Sequence, residues 1–89
     1  MPATTATVSN QLGLHARAAA SFVRLSTTFD CDIFVSSQGI EVDGKSIMGV
    51  MMLAARKGAE IRIRAEGPGA ETAVARLAEL VANRFGEEK

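Results

Sequence analysis

The sequence has no tryptophan and no tyrosine, a single histidine, a single cysteine and two prolines. Aromatic residues make up 4% of it, all phenylalanine, so a large ring-lined ligand cavity is not expected. Cys31 alone cannot supply an internal disulfide, a CxxC redox pair or a zinc cluster, and it reads as a small apolar filler in a reducing compartment. An excess of charge is missing as well. Ten basic and ten acidic residues give a formal net charge of zero, which leaves no general electrostatic footprint for nucleic acid or an anionic membrane. No apolar run approaches the ~20 residues of a membrane helix, and no basic segment precedes an apolar one near the start. The expectation is a soluble, cytoplasmic protein that neither binds nucleic acid nor inserts into a membrane.

Hydrophobic residues amount to 47% of the chain, with alanine abundant. That composition favours close helix packing. A chain of 89 residues builds one small core, so residues 1–89 are expected to form a single domain. From Thr4 to Ser9 the sequence is β-branched and roughly alternating, with Ala6 and Val8 on one side and Thr5 and Thr7 on the other, which predicts a strand. After the turn residues of "NQLG", the chain from Ala16 to about Thr27 favours a helix. Two stripes compete to be its buried face: Ala19, Phe22, Val23 and Ser26, or Ala18, Phe22, Leu25 and Phe29.

"CDIFVSS" and "GIEVDG" are short alternating runs around a turn and predict a hairpin. "SIMGVMMLAARKG" predicts a helix capped by Ser46, with Arg56 and Lys57 in its last turn and Gly58 ending it. "EIRIRAE" alternates strictly, Ile61, Ile63 and Ala65 against Glu60, Arg62, Arg64 and Glu66, so one face of its sheet must be wet. The last helix lines up Ala73, Val74, Leu77, Leu80 and Val81 on one face. Gly86 is expected to stop it and Glu87 to Lys89 to fray. The order β-α-β-β-α-β-α with one wet sheet face predicts an α+β open-faced sandwich, a four-stranded antiparallel sheet carrying three helices on one face.

Three features bear on function. His15 stands immediately before the first helix, where free backbone N–H groups of Ala16, Arg17 and Ala18 and the positive end of the macrodipole favour an anion such as phosphate. The same end disfavours the imidazolium and leaves a neutral ring nitrogen as a nucleophile, and Arg17 offers a delocalised cation to phosphate oxygens. A lone histidine in a small domain is nevertheless often just a hydrogen-bonded surface residue, and position alone leaves both readings open. No carboxylate lies near His15 in the sequence to complete a triad, and one His with one Cys furnishes a metal site poorly, so neither hydrolysis, a metal nor a cofactor is expected.

Ser46, in "GKSIMG", is among the best residue types for an N-cap, and the same place would also accept a phosphate, stabilised at a helix start. "IMGVMM" then puts three methionines in one short helix. These read either as core or as an adaptable docking surface, with Met48 and Met51, one turn apart, as the exposed pair.

The segments "GLHAR", residues 13–17, and "GKSIMGVM", residues 44–51, resemble the HPr family, the histidine phosphocarrier proteins of the bacterial phosphoenolpyruvate-dependent phosphotransferase system. The resemblance runs over essentially the whole chain. It implies that His15 accepts a phosphoryl group on Nδ1 from phosphorylated enzyme I and passes it to a IIA protein or domain, with Arg17 as the active-centre arginine. It implies a carrier that is itself substrate and product, not an enzyme turning over a small molecule, and one that works as a monomer. Ser46 matches the position modified by the regulatory HPr kinase/phosphorylase of some bacteria, and Ile47, Met48 and Met51 match the family's apolar docking patch. A nitrogen-branch carrier with the same histidine chemistry, or a non-transferring regulatory module, are the alternatives. Ala18 departs from the family, which usually has proline there. Alanine restores one backbone donor and relaxes the turn, so transfer is expected to survive with an altered affinity for phosphate.

Overall fold

The computed structural model describes residues 2–89. Its strands are β1 (Ala3–Thr7), β2 (Asp32–Ser37), β3 (Ile40–Asp43) and β4 (Glu60–Glu66), and its helices are α1 (Ala16–Ser26), α2 (Ile47–Met52) and α3 (Ala70–Ala82), followed by a short 3-10 turn at Arg84–Gly86. All strand pairs are antiparallel, in the order β1-β4-β2-β3. The predicted open-faced sandwich is the observed one.

β4 sits inside the sheet, paired with β1 on one side and β2 on the other, and its alternation divides the two faces. Ile61, Ile63 and Ala65 are buried with Ile33 and Val35 of β2 against the helices. On the other face Arg64 stacks over the Phe34 ring, 4.1 Å from its centroid, and its guanidinium binds both carboxylate oxygens of Glu41 at 2.7 Å. This exposed cluster shields the apolar ring but adds little stability by itself.

β1 starts one residue earlier than predicted, at Ala3, and ends two earlier, at Thr7, yet its pairing continues past its last residue. Val8 donates its N–H to the Ala59 carbonyl (2.9 Å) and accepts from the Gly58 N–H (2.7 Å). The β2–β3 connection uses two residues, Gln38 and Gly39, both with positive φ (51° and 82°), the turn whose twist matches that of paired strands.

α1 resolves its two competing stripes in favour of the first: Ala19, Phe22, Val23 and Ser26 are buried, together with Ala18. Leu25 and Phe29 pack at the margin of the core. Fully burying a side chain such as Phe22 contributes about 2–3 kcal/mol. In α3 the buried face is Ala70, Ala73, Val74, Leu77 and Val81, with the predicted Leu80 only half-buried.

α2 is shorter than its sequence suggests. It ends at Met52, and Arg56 and Lys57 lie in a turn beyond it, not in its last turn. Ala54 takes φ 49°, which no right-handed helix can continue, and Gly58 at φ 93° closes the turn into β4 instead of ending α2. The cause is tertiary, because carbonyl and N–H groups of this segment are claimed by Leu14 and Val8, which holds residues 54–58 across the neighbouring loops.

Candidate functional site

His15 is the N-cap of α1, with extended backbone angles (φ −76°, ψ 179°), and its carbonyl accepts the Ala19 N–H at 2.9 Å. Its position is set by the preceding glycine. Gly13 has φ 68°, and a Cβ there would lie 2.5 Å from the Ala55 carbonyl oxygen and 3.0 Å from Arg56 Cα. With no side chain in the way, the loop lies flat on residues 55–56, and Leu14 donates to the Ala55 carbonyl at 2.9 Å. Leu14 is itself buried. His15 is thus pinned between a core residue and a helix start.

Beyond His15, the N–H groups of Ala16, Arg17 and Ala18 have no carbonyl four residues back within the helix. Ala16 and Arg17 are exposed and Ala18 is fully buried. Arg17 has no hydrogen-bond or ion-pair partner among the described residues. An open depression over this helix start is lined by Leu12, His15, Ala16, Arg17, Phe85 and Glu87, among others.

Two residues of the site escaped the sequence. The His15 side chain makes no capping bond; its Nε2 lies 2.5 Å from Glu87 Oε2, so Glu87, expected to fray, instead packs on the helix start and supplies the carboxylate that no nearby residue could, while Glu88 and Lys89 stay exposed. Asn10, read only as a turn former, is fully buried, and its Nδ2 donates to the Gly13 carbonyl and to Glu87 Oε1, both at 2.8 Å. Its Oδ1 is buried with no hydrogen-bond partner among the described residues. The segment after α3 is turned toward His15 by three successive left-handed residues, Arg84, Phe85 and Gly86 (φ 57°, 55° and 82°), and Phe85 is anchored in the core. Burial pushes the Glu87 carboxyl upward, but hydrogen bonds from Asn10 and His15 and the charges of His15 and Arg17 outweigh it, and the net shift is downward.

The second segment lies on α2. Ser46 is its N-cap, Oγ accepting the Gly49 N–H at 3.0 Å. Val50 is the one buried residue of α2, whereas Ile47, Met48, Met51 and Met52 are exposed. Met52, at 71% exposure, and Leu12, equally open beside His15, extend the apolar surface beyond the expected residues. A reading of α2 as a six-residue helix with a single buried position would have found Met52. α1 and α2 pack on each other, so both predicted segments belong to one side of the fold.

A family profile described as "PTS HPr component phosphorylation site" matches residues 3–83. The chain belongs to the HPr family. Among HPr relatives, the phosphocarrier protein HPr of Xylella fastidiosa is 50% identical over 82 residues, 92% of each chain, and that of Pseudomonas aeruginosa is 49% identical over 88 residues, 98% of each. The crystal structure of HPr-C-His from Thermoanaerobacter tengcongensis, 39% identical, superposes over the whole of both chains with a TM-score of 0.94. An HPr from Bacillus anthracis, 44% identical, gives 0.84 over 88% of this chain and 93% of its own. At the family's usual proline position this chain keeps a regular helix, with Ala18 as the third residue of α1.

Proposed function

We propose that this HPr-family chain is the phosphocarrier of a phosphotransferase system, with His15 as its phosphoryl acceptor. The observation that carries the reading is the placement of His15 at the start of α1, on one depression with Arg17, whose guanidinium has no partner among the described residues. The Nδ1 lone pair of His15 attacks phosphorus as the bond from phosphorus to the donor group of phosphorylated enzyme I breaks; a IIA protein or domain later takes the group by a second displacement at phosphorus. In such a loose transition state, charge spreads over three equatorial oxygens, and catalysis is positioning plus electrostatic stabilisation. The N–H groups of Ala16, Arg17 and Ala18 and the Arg17 guanidinium are donors suited to those oxygens. The site is shallow, with the His15 side chain 27% exposed, which suits a group that two partners must reach in turn.

Ser46 supports a regulatory reading of the same surface. A phosphate added by an HPr kinase/phosphorylase would meet the start of α2 and put negative charge beside Ile47, Met48 and Met51, opposing the docking of partners there. A nitrogen-branch role has the same histidine chemistry and differs only in partners. The test is incubation with enzyme I and phosphoenolpyruvate. An acid-labile phosphate should form on the wild type and not on His15→Ala, and labelling that persists in the variant would remove the assignment.

A further inference from the structure

Glu87 and Asn10 form a two-step chain of hydrogen bonds behind His15. Asn10 faces two oxygens, the Gly13 carbonyl and Glu87 Oε1. Only its NH2 group can serve both, which makes Glu87 Oε1 an acceptor. Glu87 Oε2 then faces His15 Nε2 at 2.5 Å. The Glu87 carboxyl is held below its ordinary value, and an ionised carboxylate has nothing to donate. The proton of this contact therefore sits on His15 Nε2, and in a neutral imidazole that leaves the lone pair on Nδ1.

We propose that Glu87, held in place by Asn10, is a positioning residue for phosphoryl transfer: it fixes His15 as the Nε2–H tautomer with Nδ1 nucleophilic, and it faces the cation formed when Nδ1 is phosphorylated. This rests on His15 being the phosphoryl acceptor. The step balances without a proton leaving the site. Nδ1 donates its electron pair to phosphorus, the bond from phosphorus to the donor group of enzyme I breaks, and that group departs with the bonding pair. The His15 ring keeps its Nε2–H and becomes a phosphorylated imidazolium, whose charge lies against the Glu87 carboxylate. Onward transfer reverses these changes and returns the neutral ring. A carboxylate behind an imidazole selects tautomer and orientation in just this way in acyl-transfer triads, but here the nitrogen left free attacks phosphorus itself.

Glu87→Gln is the discriminating substitution. Asn10 NH2 selects the new amide's oxygen, so the amide NH2 faces His15 Nε2 and favours the opposite tautomer, with Nδ1 protonated. Glu87 is outside the regular elements and glutamine keeps its shape and an oxygen for Asn10, so the fold is retained at a modest cost in stability, and ring 15N shifts of His15 can be read with no partner present. With the ring neutral, wild type should show the Nε2–H pattern and Glu87→Gln a shift toward Nδ1–H. Acceptance of phosphoryl from phosphorylated enzyme I should fall about tenfold in Glu87→Gln, the scale of loss when a ring-orienting partner is removed. Glu79→Gln, which removes the same charge from the exposed face of α3, should change neither. Unchanged 15N shifts in Glu87→Gln, or an inverted tautomer with a wild-type rate, would overturn the proposal. Failure of the acceptor reading looks different, because labelling would then persist in His15→Ala whatever the ring nitrogens report.

Discussion

At the scale of single residues, the site depends on groups that contribute geometry more than chemistry. Gly13 is the sharpest case. Its left-handed φ and the 2.5 Å approach to the Ala55 oxygen leave no room for a methyl group, so Gly13→Ala must strain the loop or lift it away from residues 55–56. A loss of about 2 kcal/mol is expected in chemical denaturation, and His15 shifts should move in NMR spectra of the folded protein. Glu87 makes a prediction in pH. Its carboxyl has a folded-state value lowered from 4.5, so its contribution to stability is fully present above pH 4.5 and is lost as pH falls through the lower folded value. Denaturation midpoints followed downward from pH 4.5 should decline less steeply in Glu87→Gln than in wild type. The groups facing Glu87 were half legible. His15 and Arg17 sit in a local pattern that chemistry can interpret, but the Asn10–Glu87 pair spans 77 residues, and no spacing rule predicts such a contact.

Elements were read well where periodicity is strict. β4, from Glu60 to Glu66, alternates without exception and is buried as it alternates, and the two apolar stripes of α1 share Phe22, so either choice locates the core. Reading failed where tertiary hydrogen bonds override a good local pattern. The residues after Met52 have helix-forming side chains and basic residues suited to a helix end, yet their backbone is claimed by Leu14 and Val8. The residues after α3 fail in the opposite sense. Gly86 and three polar residues look like a fraying end, but Phe85 inserts into the core and accepts a left-handed backbone to do so. Truncating it should release the segment. Phe85→Ala is expected to cost about 3 kcal/mol, and amide exchange in the wild type should show Glu87 protected to a degree that Phe85→Ala abolishes.

For the whole molecule, a balanced charge and an exposed apolar surface favour association by shape and contact over long-range steering. The sheet's far face carries the Arg64–Glu41 pair, whereas α1 and α2 present His15, Ser46 and the methionines from adjoining helices. On the regulatory reading proposed for Ser46, Ser46→Asp should weaken binding to enzyme I several-fold in a titration, and equal affinities would reduce Ser46 to a capping serine. The central claim is that one histidine, held at a helix start, carries the phosphoryl group. Its most direct measurement is phosphoryl transfer from phosphoenolpyruvate through enzyme I to this chain and on to a IIA acceptor. Wild type should become labelled in an acid-labile, alkali-stable form and pass the label on, while His15→Ala, folded by circular dichroism, takes up none; label retained by His15→Ala, or a wild type that enzyme I cannot phosphorylate, would contradict it.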